Sequence, residues 1–280
     1  MTDSASAARA DPGAVTGTAR IGAAFQAARG DRRAALMPYL MGGFPDQATA
    51  TAIARAYAEA GADLIELGVP FSDPLADGPV IHAADTAALA AGATLESVLE
   101  TCAAVSDRVP VALMVYANMV LAVGADEFAA AAGDAGAAGV IIPDLPLEEQ
   151  EPIAEALGAR GLALVPLVAP TTPTERRREI CGGARGFVYL ISTVGVTGER
   201  DALPAELTEL TAAAREEASV PVAVGFGIST PEQAATVGEI ADGIIIGTRL
   251  VREVADAPDR DAAVRGVMNL LRETRAALAR

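Results

Sequence analysis

Eight short apolar runs, spaced along the chain and never alternating with polar residues, are the feature that most limits its fold. They are ALMPYLM (35–41), DLIELGV (63–69), VPVALMVY (109–116), GVIIPD (139–144), LALVPLV (162–168), GFVYLIS (186–192), VPVAVGF (220–226) and DGIIIG (242–247). A strand that is apolar on both faces is one buried on both faces, as in a parallel sheet covered by helices. The stretches between the runs carry helix signals. Thr230-Pro231-Glu232 supplies an N-cap, a proline for the first helical position and an acid for the first turn. Residues 205–218 and 262–279 are rich in alanine and other good helix formers. Eight strands, each followed by a helix, with no second compositional zone, predict an α/β fold, a single (β/α)8 TIM barrel. The 280 residues suit it, since one such barrel takes about 250. A doubly wound open sheet is the structural alternative. Residues 20–30 predict an extra N-terminal helix across the barrel's N-terminal end, residues 1–19 read as a disordered tail, and 20–280 form the barrel domain.

Charge and residue usage exclude several kinds of chemistry. A net charge of −16 without a basic run argues against nucleic acid and anionic membrane surfaces as partners. An anionic substrate would need a local site working against that field. No signal-peptide core is present. The uncharged run 109–125 is interrupted by Pro110, Asn118 and Gly124, so it reads as a strand and its following loop rather than a membrane span. Cys102 and Cys181 fit neither a metal nor a redox spacing. They read as buried free thiols, which implies a reducing, cytoplasmic location. All 21 basic residues are arginine, and His82 is the single histidine. A lysine Schiff base and a multi-histidine zinc site are therefore outside this chain's means, and no metal is expected. Carbon–carbon chemistry here would have to rest on carboxylates and hydrogen bonds.

Barrels of this type place their chemistry where strands run into the following loops, so polar residues at strand C-termini are candidates. Glu66 lies inside the second run, where burial disfavours its charge unless it is paired or used. It is either a tied structural acid or a general acid/base with a raised pKa. Asp77 follows in a loop stiffened by Pro70, Pro74 and Pro79; it and Asp73 are candidates for the site or plain turn-formers. Gly227 and Gly247, after the seventh and eighth strands, are where backbone amides would need to approach a phosphate closely, and Thr248 could add a hydroxyl. The glycine-rich loop 192–204 reads as a lid or a surface loop. His82, at a helix start, reads as a surface or capping residue.

The motifs ELGVPFSDPLADGP (66–79), VYAN (115–118), PDLPLEE (143–149), GVTG (195–198) and GFGIS (225–229) resemble, in order, those of the tryptophan synthase alpha subunit family. The resemblance runs from about residue 25 to the C-terminus. It implies retro-aldol cleavage of indole-3-glycerol phosphate to indole and glyceraldehyde 3-phosphate. On it, Glu66 is the acid/base that protonates the indole at C3, and Asp77 holds the indole N–H. It also places Tyr189 next to Glu66, makes Thr197 a lid residue closing toward Asp77, and makes Gly198, Gly227 and Gly247 phosphate contacts. Thr248 stands where serine is frequent, and Tyr39 and Phe226 are walls around the indole.

The resemblance further implies an αββα heterotetramer with a beta subunit that carries pyridoxal phosphate, this chain holding no cofactor of its own. Loop 70–80, the loop after the sixth strand and 143–149 are the implied docking surface. Two other readings stand beside it: a free-standing lyase that releases indole, and a catalytically silent scaffold.

Overall fold

The structure, a computed structural model, describes residues 15–191, 205–225 and 227–279. Nine strand segments form one all-parallel sheet: β1 (Ala35–Met41), β2 (Ile65–Gly68), β3 (Val111–Met114), β4 (Gly139–Ile141), β5 (Ala163–Val165), β6 (Leu167–Val168), β7 (Val188–Ile191), β8 (Val222–Gly225) and β9 (Gly243–Ile246). Their order is β5-β4-β3-β2-β1-β9-β8-β7-β6. The two ends of that order, β5 and β6, are the halves of the single run 162–168, so the sheet curls round on itself through Pro166. Proline has no N–H to donate and interrupts the ladder. Its carbonyl still accepts from the Tyr189 amide at 3.0 Å. The architecture is thus the expected barrel, with its fifth strand split at the seam.

A period of two is hidden inside the uniformly apolar runs. Leu36, Leu40, Ile65, Leu67, Val111, Leu113, Val222, Val224, Ile244 and Ile246 point outward into the layer of helices. Ala35, Met37, Ala112, Ala163, Tyr189, Ala223 and Ile245 fill the barrel interior. Both faces are dry, so neither needs polar residues, and the alternation is invisible in hydropathy. The helices bury long faces on each other as well as on the strands; Arg260–Leu278, for example, buries Val267, Leu270 and Leu271.

The N-terminal helix runs Gly17–Gly30, starting three residues before the expected position 20, because Thr16 caps it by accepting from the Ala19 amide. Residues 1–14 of the expected tail lie outside the described residues. The helix closes the barrel floor with Ile21 and Phe25, which share one cluster with the interior alanines. Gly243 is required there: a Cβ would come within 2.8 Å of the Phe25 ring. The run 109–125 is strand β3 followed by the helix Ala117–Val123, as its interruptions implied. Among the described residues, no helix is long and apolar enough to cross a membrane. Cys102 and Cys181 are buried and free.

Candidate active site

With the floor plugged, open space remains at the C-terminal ends of the strands. A cavity of about 350 Å³ there is lined by Tyr39, Glu66, Asp77, Met114, Tyr189, Gly227, Ser229, Gly247, Thr248, Arg249 and Arg252, among others. Of the residues expected from sequence, Tyr39, Glu66, Asp77, Tyr189, Gly227, Gly247 and Thr248 therefore come together. Thr197, Gly198 and Phe226, with the whole loop 192–204, lie outside the described residues.

Glu66 sits inside β2, in register with Tyr39 of β1 and Ala112 of β3, and is 2% exposed. Its Oε2 has no hydrogen-bond partner among the described residues. Burial, reinforced by the charge of Asp77, pushes its carboxyl up to about 8. Burial thus favours the protonated form of Glu66, and the side chain lines the cavity.

The rings of Tyr39 and Tyr189 are held in place by missing side chains. A Cβ at Gly225 would lie 2.5 Å from the Tyr189 hydroxyl, and one at Gly68 would overlap the Tyr39 hydroxyl. These two strand-end glycines, not singled out from sequence, leave the room that the two tyrosine rings occupy. Burial and the neighbouring carboxylates raise both phenols, so each stays a neutral wall.

Asp77 hangs over the cavity from the loop between β2 and the helix Pro79–Ala90. It is not a plain turn-former: its Oδ2 accepts from the Tyr116 hydroxyl at 2.9 Å, and the same hydroxyl accepts from the Ala76 amide at 3.0 Å. Burial raises the Asp77 carboxyl, while the Tyr116 bond and the charge of His82 lower it. His82 is exposed on the first turn of that helix, as expected. Asp73, by contrast, only accepts from the Ser72 hydroxyl at 2.6 Å on the surface. Tyr116 was missed as a site residue, although it ends the third apolar run and so meets the strand-end criterion.

The cavity lining also includes residues suited to an anion. Gly227 has φ +82°, a conformation that favours glycine. Gly247 precedes the helix Thr248–Ala255 with no side-chain cap, which leaves first-turn N–H groups to point at a ligand. Arg249 and Arg252 line the same cavity, and Arg249 is braced by Glu253 at 2.6 Å. These arginines bring positive charge to the cavity of an acidic chain. Sequence reading missed them because they lie on a helix rather than at a strand end.

The fold and this cavity define a class: a (β/α)8 barrel with two carboxyl groups, Glu66 and Asp77, and two arginines, Arg249 and Arg252, lining one cavity at the strand C-termini. Comparison with known proteins narrows the class to one family. The family model for the tryptophan synthase alpha chain matches residues 25–278. The tryptophan synthase alpha chain of Carboxydothermus hydrogenoformans is 49% identical over 234 residues, covering 83% of this chain and 88% of that one. The protein of that name from Phenylobacterium zucineum is 45% identical over 249 residues, covering 88% and 90%. Among solved structures, a Mycobacterium tuberculosis tryptophan synthase superposes with a TM-score of 0.86 at 36% identity, covering 93% of this chain and 98% of that one. The alpha subunit from Legionella pneumophila reaches 0.85 at 34%, covering 95% and 99%. The chain belongs to the tryptophan synthase alpha chain family, whose alpha reaction is the lyase cleavage of indole-3-glycerol phosphate.

Proposed function

We propose that Glu66 and Asp77 carry that cleavage in this chain and that the Gly227/Gly247 end holds the substrate phosphate. The observation that supports this most directly is Glu66, buried in the same cavity as Asp77, with its carboxyl pushed up to about 8 and no partner for Oε2 among the described residues. Glu66 gives its proton to indole C3, leaving a positive indolenine. Asp77 in its ionised form, which the Tyr116 hydrogen bond favours against the larger opposing effect of burial, accepts the indole N–H and stabilises that charge. The Glu66 carboxylate then takes the glycerol hydroxyl proton. The C3–carbon bond breaks, its electrons return to the indole ring, and the hydroxyl carbon leaves as the aldehyde of glyceraldehyde 3-phosphate. Glu66 ends as it began, protonated. The electron sink is the substrate's own ring, which suits a chain without lysine.

The phosphate is held by the amides at Gly227 and Gly247, the Thr248 hydroxyl and the charges of Arg249 and Arg252. Tyr39 and Tyr189 wall the indole; the family resemblance adds Phe226 as a further wall, Thr197 as a lid residue toward Asp77 and Gly198 as a phosphate contact. The barrel domain, with the N-terminal helix that starts at Gly17 as its first element, is part of the same reading.

The chain works with a separate beta subunit in an αββα tetramer, with pyridoxal phosphate in that subunit alone. Leu75, 90% exposed in the Asp77 loop, supports a docking face that includes loop 70–80, with the loop after the sixth strand and 143–149 completing it. Two buried free thiols support a reducing cytoplasm.

The test is turnover of indole-3-glycerol phosphate by the chain alone and with a beta subunit. Glu66→Gln and Asp77→Asn should each lower kcat by at least about 100-fold, the low end for positioned acid–base catalysis. Near-wild-type kcat in either variant removes that residue from the mechanism, and no stimulation by beta favours a free-standing lyase.

A further inference from the structure

One carboxyl group beside the cavity has no part in the chemistry above. Asp85 lies on the helix Pro79–Ala90, on the buried stripe with Ile81, Ala84 and Ala88, and is 2% exposed. A carboxyl on an apolar stripe is costly, and this one does not serve its own helix. Its Oδ1 accepts from the Phe71 amide at 3.1 Å, and its Oδ2 has no partner among the described residues. Burial and the charge of Asp77 push it up to about 7, against the pull of the Phe71 bond.

Phe71 opens the loop that ends at Asp77. Its ring stacks on that of Tyr116, with centroids 5.1 Å apart and planes 27° from parallel, and Tyr116 grips the far end of the loop at Ala76 and Asp77. One side chain from the following helix and one from the end of β3 thus hold the two ends of the loop, and the stacked rings join the two holds.

We propose that Asp85 is a positioning residue for Asp77: by fixing the Phe71 amide it seats the Phe71 ring on Tyr116, and so holds the Asp77 carboxylate at the cavity. The proposal rests on the assignment of Asp77 to the indole N–H. It requires an acceptor at position 85 rather than a charge, because either protonation state of Asp85 can accept the amide.

Asp85→Asn keeps the acceptor. Asp85→Leu removes it while filling the same apolar stripe, so the helix keeps its packing. Both are made in the full chain with its beta subunit. Amide hydrogen exchange of the peptide containing Phe71 reads the bond, and steady-state cleavage of indole-3-glycerol phosphate reads its consequence. For Asp85→Leu, exchange at Phe71 should rise at least about tenfold, as for a locally opened segment. Its kcat/KM should fall at least about tenfold, in keeping with the cost of a misplaced catalytic group. Asp85→Asn should stay within about threefold of wild type in both.

Unchanged exchange in Asp85→Leu overturns the proposal. So does fast exchange with unchanged kcat/KM, or an Asn variant as impaired as Leu. Should Leu not fold, the Asn variant alone decides, since loss of kcat/KM there contradicts an acceptor role. A parallel Asp77→Asn separates the two levels: undiminished kcat there sinks the Asp77 assignment itself, whereas a slow Asp77→Asn with a normal Asp85→Leu sinks only the role of Asp85.

Discussion

Replacing Glu66 by glutamine should make the protein more stable as it makes it inactive, and the gain should depend on pH. Burial lifts the Glu66 carboxyl from its ordinary 4.5 to about 8. Between those values the folded chain keeps a proton that the unfolded chain has released, so stability falls as pH rises through this window. Below about pH 4.5 the group costs nothing extra in charge, and above about pH 8 the whole penalty is present. Each unit is worth about 1.4 kcal/mol, which puts the upper bound near 5 kcal/mol; water drawn in by the buried anion would lower it. Glutamine occupies the same space and never ionises.

The assay is urea unfolding of both proteins at about pH 5, 7 and 9. The stability difference, glutamine minus glutamate, should rise by about 2–5 kcal/mol from the lowest pH to the highest. Cleavage of indole-3-glycerol phosphate should be lost at every pH. A difference that stays constant across the range would refute the claim that burial holds Glu66 neutral, and with it the source of the proton given to indole.

Three further outcomes follow from the cavity. Tyr116→Phe removes the hydrogen bond that lowers the Asp77 carboxyl; the acidic limb of the kcat/KM–pH profile should move upward, and an unmoved limb would detach Tyr116 from Asp77. Gly225→Ala puts a methyl 2.5 Å from the Tyr189 hydroxyl, so it should cost about 1–3 kcal/mol of stability by overpacking and raise KM for the substrate. Wild-type melting and KM together would contradict the close approach. Gly227→Val places a branched side chain at φ +82° beside the anion end; KM for indole-3-glycerol phosphate should rise much more than the affinity for indole falls, and equal effects would move the phosphate elsewhere.

Much of this was readable before any coordinates. The eight apolar runs dictated a parallel barrel because only strands buried on both faces tolerate such uniform composition. The same logic exposed Glu66, a charge in the middle of an otherwise apolar strand. Gly227 and Gly247 were legible as cavity residues because they follow the seventh and eighth strands, whose C-terminal ends open on the cavity. Absence of lysine excluded a Schiff base from composition alone.

What only the tertiary structure decided is the company each residue keeps. Nothing in the run 162–168 says that the barrel closes through Pro166, since that depends on which neighbour each half meets. Asp77 and Asp73 are alike in sequence, both in a proline-rich loop. They differ because the Tyr116 hydroxyl, 39 residues away, reaches one of them and not the other. Asp85 is a polar residue on a helix stripe until Phe71 is brought to it across 14 residues of chain. Local sequence records burial and backbone preference, which are properties of a segment. Hydrogen-bond partnership and the pKa of a buried acid belong to the space between segments, and only the folded chain sets that space.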